Sequence, residues 1–521
     1  MKHTTAQFKQ NVKAALAQPN LKVALDRTAG LLRSRRAEIV AQFPEFERAR
    51  EIAQQVKDHT IRYLDYYLEE FEKNAIASGA KVHWASTAKE ATDAVIAICR
   101  VHDAKMATRV KSMLGEEIGI TEALAEADIE RVETDLAEHI IQLAGDPPSH
   151  IVMPAMHKTH EEVSELFERH HADHVKQTDI GELVESARKE LRPKYFAAEV
   201  GISGANFLIA ETGSIVIVTN EGNAELTTSP PKVHIVTVGI EKLVPTMEHC
   251  TVLLRLLARS AIGTEITQYT TFYNGPKRPG DKDGPEEMHI VLVDHHRTEM
   301  LAGHLRAMLR CIRCGACINH CPVYAAIGGH AYGGVYPGPM GSVLTPAMTS
   351  LKQAGDLPNA CTLNGRCEEV CPVKIPLPDM MRRLREQQYR ENLTSSTVRY
   401  GLGLWAFAAK RPWLYRLGNR FAIRALVMLG RRKGHIRSLP GAGGWTRHRD
   451  LAAPQGGTFM DLYDRRQREH DYENEPTSLH ELGGFLFLTV ILAPVLTFVL
   501  VGGYGFMIWM YQLVAGSPGA S

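Results

Sequence analysis

Seven of the nine cysteines fall between residues 311 and 371, in two runs that each end in Cys-Pro. The first, CIRCGACINHCP at 311–322, has the spacing C-x2-C-x2-C-x3-C-P. Three thiolates from one such turn converge on a compact iron–sulfide cube, and in two-cluster ferredoxins the cysteine before proline reaches the other cluster. The second run, CTLNGRCEEVCP at 361–372, keeps Cys361, Cys367 and Cys371 but carries Asn364 between them. On the crossing rule, Cys311, Cys314, Cys317 and Cys371 hold cluster one, while Cys321, Cys361 and Cys367 hold cluster two. A neutral amide is a weak iron ligand beside a thiolate. Cluster one is therefore expected to be a four-iron, four-sulfide centre, and cluster two a three-iron, four-sulfide centre with a labile four-iron form as the alternative. Zinc fits these spacings poorly, since it prefers four ligands in C-x2-C pairs separated by a longer gap. Cys99 and Cys250 stand alone, and Cys250, in a helical stretch, reads as a core thiol rather than a fourth ligand.

These thiols need a reducing compartment and a scaffold. The start MKHTTAQFKQNVKAALAQ has neither the apolar core of a secretory signal nor a twin arginine, which places the amino-terminal bulk in the cytoplasm. At 521 residues the chain is too long for one core, and 60 basic against 59 acidic residues give no bulk charge pointing to nucleic acid. Five segments follow from texture. Residues 1–75 have helical apolar spacing, as in EIAQQVKDHTIRYLDYYLEEFEKNA. Residues 76–300 alternate short apolar runs such as FLIAETGSIVIVTN, KVHIVTVGI and MHIVLVDHH with helical stretches, the pattern of an α/β domain with a largely parallel sheet. Residues 301–390 form an α-helical two-cluster ferredoxin module whose spacer GGHAYGGVYPGPMGSVLTPAM reads as an ordered loop. Residues 391–470 are a basic helical segment ending in a loop at PGAGGWTRHRD; nineteen Lys and Arg face six Asp and Glu between 381 and 470. Residues 471–521 are a linker and a transmembrane helix, for 485–515 holds no charge over thirty-one positions, more than the roughly 20 needed to cross a bilayer. Tyr504, Trp509 and Tyr511 fit an interfacial belt, and Arg465, Arg466 and Arg468 upstream of the uncharged tail GSPGAS keep the body cytoplasmic and the carboxyl terminus outside. A buried core helix is the rival reading.

The α/β segment carries no G-x-G-x-x-G fingerprint, P-loop or H-E-x-x-H. Its polar turns ETGS at 211–214, NEGN at 220–223 and TTSPPK at 227–232 sit at strand ends, either as ligand loops or as tight hairpins. Lys232 and His234 are candidates to face a carboxylate, against ordinary strand-edge roles. His157, His160, His170, His171 and His174 accompany an amphipathic charged helix, where solvent exposure is the plain expectation and metal binding the lesser one. Trp405 and Trp413, among arginines, suit a membrane-surface helix or a helix packed on the ferredoxin module.

The paired spacings, with Cys361-x5-Cys367-x3-Cys371-Pro, resemble the iron–sulfur subunits of succinate dehydrogenase and fumarate reductase, in which the x5 motif helps hold a three-iron centre that reduces quinone. The plant-type C-x4-C-x2-C domain of those subunits is missing, so the chain is not one of them. The run AEVGISGANFLIAETGSIVIVTNEGNAELTTSPPKVHIVTVGIEKLVPT at 198–246, with residues 133–159, 283–294, the Gly-rich spacer and GGWTRHRD, is similar to the lactate utilisation protein B family from near residue 40 to about 460. That resemblance implies a LUD domain related to sugar-phosphate isomerases and CoA transferases. It also implies an iron–sulfur electron-transfer subunit of a complex that oxidises L-lactate to pyruvate, beside two companion proteins, with quinone or another respiratory acceptor downstream. Glycolate or another 2-hydroxy acid is an alternative substrate, and a membrane-anchored scaffold or small-acid or CoA-ester sensor with structural clusters is an alternative role. No flavin motif appears, so hydride or proton abstraction is expected of a partner's cofactor, and no catalytic residue is assigned. The tail HELGGFLFLTVILAPVLTFVLVGGYGFMIWMYQLVAG is similar to the small one-span accessory proteins of periplasmic nitrate and trimethylamine-oxide reductases. The expected location is the cytoplasmic face of the bacterial inner membrane, single-pass, with the carboxyl terminus periplasmic.

Overall fold

The computed structural model describes residues 4–430, 434–439, 446, 449–474 and 478–515. Most of the loop and motif at 440–450, the linker at 475–477 and the tail GSPGAS lie outside the described residues. The chain forms two compact units, Met1–Thr394 and Ser395–Ser521.

The first unit opens with four helices, α1 (Phe8–Leu16), α2 (Pro19–Ala41), α3 (Phe46–Arg62) and α4 (Leu64–Ala77). In α3 the buried residues Ala53, Val56, Lys57, Thr60 and Ile61 share one face at helical spacing. Ten strands follow in the α/β region. They are β1 (Lys81–Ala85), β2 (Met106–Arg109), β3 (Glu130–Glu133), β4 (Val200–Gly204), β5 (Phe207–Ile209), β6 (Ser214–Thr219), β7 (Val233–Gly239), β8 (Leu243–Val244), β9 (Tyr269–Tyr273) and β10 (Glu287–Val293). Six make a parallel sheet in the order β1-β10-β7-β4-β2-β3. Every residue of β7 is buried, which accounts for its near-continuous apolar run, since helices cover both faces of such a sheet.

Two local expectations change. FLIAETGSIVIVTN does not enter the parallel sheet; β5 and β6 pair antiparallel within a second sheet ordered β8-β5-β6-β9. The ETGS turn is thus a hairpin, with Gly213 at φ 67° where a Cβ would come within 2.2 Å of the Ala75 nitrogen in α4. The Gly- and Pro-rich spacer is not only a loop, because Gly338–Met348 is a helix with most residues buried. Pro339 sits in its first turn, where the missing N–H is harmless, and Gly341 lets it pack on the Tyr336 carbonyl.

Of the five histidines, His170 and His174 are exposed as expected, whereas His171 is buried and His157 and His160 are half-buried. The helix His160–His170 stops before His171, which tucks inward, bonds Ser186 Oγ at 2.8 Å and meets His139 Nε2 at 3.1 Å. His157 pairs with Ser149 and Asp146 at 2.9 and 3.2 Å.

In the second unit, helices Ser396–Ala409 and Pro412–Gly430 keep Trp405, Phe407, Trp413 and Phe421 exposed. Among the described residues, Leu479–Val514 is a helix whose apolar 18-residue window has mean hydropathy 2.6 with none of it buried, long and apolar enough to cross a membrane.

Burial holds the imidazoles of His139 and His234 down at about 4 and about 3. Each then binds a proton more readily unfolded, near the ordinary value of about 6.5, so their stabilisation is complete above that value and is lost as pH falls toward the folded values. Equilibrium urea unfolding is expected to show a lower midpoint at pH 5 than at pH 7, with the difference reduced in His139→Phe.

Candidate metal centre

The two cysteine runs fold into the same turn. Arg313 and Gly315 have φ of 60° and 74°, and Leu363 and Gly365 match them at 55° and 82°. A four-residue helix follows each turn, Ala316–Asn319 and Arg366–Glu369, and then Cys-Pro. Asn364 therefore occupies the position of Cys314 in the other run. Its side chain is exposed and Oδ1 accepts the Arg366 N–H at 3.2 Å.

The structure brings the seven thiols together in two adjoining sets. Cys314 and Cys317 lie within electrostatic reach of Cys311 and Cys371. Cys367 lies within reach of Cys361 and Cys321, and Cys317 also senses Cys367. A cavity of about 20 Å³ separates Cys321, Cys361, Cys367 and Asn364, with Tyr332 on its wall. Cys250 is buried in the helix Met247–Ala261 and Cys99 in the helix Ala88–Val101, and neither joins a set.

The donor set fits iron–sulfur clusters. Burial, then crowding by neighbouring thiols, pushes Cys314 and Cys367 up to about 12, and burial pushes Cys371 up to about 11. Such groups keep their protons until a metal cation replaces them. The backbone is already arranged to donate to sulfur: Leu363 N–H reaches Cys361 Sγ at 3.3 Å, Ile375 N–H reaches Cys371 Sγ at 3.4 Å and Tyr324 N–H reaches Cys321 Sγ at 3.5 Å. Hydrogen bonds of this kind tune cluster potentials.

Arginines from the amino-terminal helices and the module itself hold the loop around Cys371. Arg36 of α2 donates to the Val370 carbonyl at 3.1 Å. Arg50 of α3 donates to the carbonyls of Cys371 at 2.8 and 3.0 Å and of Glu369 at 2.9 Å. Arg310, paired with Asp58, donates to the Lys374 carbonyl at 3.0 Å.

A second feature adjoins the first cysteine turn. A cavity of about 880 Å³ lies at the carboxyl edge of the parallel sheet, lined by residues that follow β2, β3, β4 and β7, by α2 and by Arg313, the edge where open α/β sheets take ligands. Glu241 binds Arg297 at 2.5 Å and Arg313 at 3.5 Å, and Arg297 also binds Glu117 at 2.8 Å. Burial alone would raise the Glu241 carboxyl, but the two guanidiniums outweigh it and hold it at about 2. Arg313 stacks over Tyr336 at 4.4 Å, and Lys57 donates to the Glu241 carbonyl at 2.5 Å.

Lys232 and His234 take no part here. Lys232 precedes β7, at the opposite edge of the sheet and exposed, and His234 is buried against Ser203 Oγ at 2.7 Å. Of the three polar turns, NEGN is the one on the cavity, through Asn220, Glu221 and Asn223. Sequence reasoning passed over Lys242 and the arginines, whereas Asn223 ends the NEGN turn it singled out; Arg313 had a signal in lying inside the CIRC motif itself.

A parallel α/β domain joined to a module with two ferredoxin-type cysteine turns defines an iron–sulfur dicluster protein. Family comparisons agree: a LUD domain matches residues 68–293, a 4Fe-4S dicluster domain 307–375, the C-terminal domain of lactate utilisation protein B 366–468, and periplasmic nitrate reductase protein NapE 467–520. Lactate utilization protein B of Shouchella clausii is 39% identical over 478 residues, 90% of this chain and 100% of that one. Its Bacillus licheniformis counterpart is 40% identical over 475 residues, 90% and 98% of the two chains. An Escherichia coli protein named "Uncharacterized electron transport protein YkgF" is 36% identical over 469 residues, again 90% and 98%. The chain belongs to the lactate utilization protein B family.

Arg50→Ala would leave the carbonyls of Glu369 and Cys371 without their donor, a loss of about 1–3 kcal/mol. Iron release to a chelator is expected to be faster than from the unsubstituted protein; an unchanged rate would count against a supporting role for Arg50.

Proposed function

We propose that this chain is an iron–sulfur electron-transfer subunit of a complex that oxidises L-lactate to pyruvate and delivers electrons to the respiratory chain. The observation that carries the reading is the pair of adjoining thiol sets, one of four members and one of three. In this reading Cys311, Cys314, Cys317 and Cys371 hold a four-iron cluster. Cys321, Cys361 and Cys367 hold a three-iron cluster, with Asn364 at the corner that lacks a thiolate. Bound clusters supply one-electron transfer. The protein's contribution is to keep Cys314, Cys317 and Cys371 buried, to donate N–H groups to sulfur, and to leave the second set near solvent at Asn364, where an acceptor has access. The names carried by the relatives, lactate utilization and electron transport, support the substrate and the role.

Two companion lactate-utilisation proteins belong in the same reading, and so does quinone as an acceptor. Leu479–Val514 would anchor the chain as a single span, consistent with the likeness of residues 467–520 to NapE. Arg465, Arg466 and Arg468 favour the cytoplasmic side for the body. The large cavity keeps a second reading open, a small-acid or CoA-ester sensor whose clusters are structural.

Anaerobically purified protein mixed with its companions and L-lactate is expected to give the spin-resonance signals of reduced clusters. Zinc in place of iron would sink the electron-transfer reading, and iron clusters that lactate leaves oxidised would favour the sensor. Asn364→Cys is expected to raise the iron content from about seven to about eight per chain, and an unchanged count would contradict the ligand assignment.

A further inference from the structure

The cavity at the carboxyl edge of the sheet is too large for a three-carbon acid alone. Its volume, about 880 Å³, is near the top of the range of about 300–1,000 Å³ for sites that bury whole organic ligands. Its wall carries six cationic side chains, Arg27, Lys111, Lys158, Lys242, Arg297 and Arg313, against four carboxylates, Asp135, Glu161, Glu221 and Glu241. Beside the cysteine turn, Arg297 pairs with Glu117 and Glu241 and Arg313 with Glu241, so both oxygens of Glu241 already serve the two arginines. The Lys242 ammonium carries no hydrogen bond or ion pair among the described residues, and Arg313 Nη1 is buried without a partner. Asn223, only 5% exposed, lines the same cavity with both amide atoms unpartnered. Buried polar atoms without partners are rare enough to demand an explanation, and here they cluster around one space. Met113, Met156, Leu257 and Ile262 give the remaining wall an apolar character.

We propose that this cavity binds a phosphate-bearing organic ligand of nucleotide size, its anionic group held by Lys242 and Arg313 and a polar edge of its body met by the Asn223 amide. The flanking position of Arg313, between Cys311 and Cys314, sets the anionic group beside the first thiol set. That neighbouring cluster rests on the ligand assignment proposed above, whereas binding itself does not. No dinucleotide or triphosphate motif is needed, because the recognition comes from side chains gathered from separate elements rather than from a Gly-rich loop.

The test is equilibrium binding to the full, cluster-loaded chain, with flavin mononucleotide, coenzyme A and L-lactate as separate probes. One of the two phosphorylated probes is expected to bind at one per chain in the micromolar range, and to change the spin-resonance spectrum of the reduced protein. Lys242→Ala is expected to weaken that binding about ten-fold or more with iron content unchanged, which reports that the variant is folded. Asn223→Ala, on a different element, should weaken it as well. Binding of L-lactate only, binding of none of the three, binding indifferent to Lys242→Ala, or binding without a spectral change would each overturn the proposal. A protein whose clusters lactate cannot reduce, yet which binds a phosphorylated probe through Lys242, would sink the electron-transfer reading and leave this one standing.

Discussion

Buried sulfur donors within reach of one another cannot all be thiolates unless cations stand among them. That constraint organises the module from Cys311 to Cys371. Its helices Ala316–Asn319 and Arg366–Glu369 are single turns, far below the length at which a helix holds itself in water. Something else must fix the turns that precede them. Protons do so weakly, as the raised thiols show; metal does so by replacing those protons, and ligand binding then becomes folding energy. The amino-terminal helices add a second restraint, because Arg36 and Arg50 reach carbonyls rather than the sulfurs themselves. They bring positive charge near Cys371 without competing for its lone pairs.

The same logic of buried charge joins the cysteine turn to the α/β domain. Glu241 follows β7 directly, and its two oxygens are shared by Arg297 from the α/β domain and Arg313 from the turn between Cys311 and Cys314. Leaving one partner of such a buried group unpaired is costly, so the junction is held in a single geometry. Its consequence is functional, because the carboxyl edge of the sheet, where ligands enter α/β folds, is also the edge to which the first thiol set is attached. Separate domains with a flexible link would not hold that relation, and within Met1–Thr394 there is one compact body.

Much of this was legible in advance. The C-x2-C-x2-C turn, the asparagine at 364 where the first run has a cysteine, the buried strand of KVHIVTVGI and the uncharged tail are all local statements, in which chain spacing or composition determines the outcome. The misreadings have a common cause. ETGS and NEGN look alike as strings, yet one closes a hairpin against α4 and the other faces the cavity. Lys232 and Lys242 flank the same strand, but only its carboxyl end opens on the site. His171 lies one position past the helix His160–His170, so helical periodicity does not register the turn of the chain that carries it inward.

By itself the sequence determined which elements form and which atoms are able to bind metal, since turn geometry, apolar runs and thiol chemistry depend on neighbours a few residues away. Only the tertiary structure decided that Arg36 and Arg50 reach the carbonyls around Cys371, that Asn364 stands at the surface, and that Lys242, Arg313 and Asn223 converge on one cavity. Those pairings join residues far apart in the chain, and no local preference encodes them; they follow from how the sheet, the helices and the cysteine turns bury one another's surfaces.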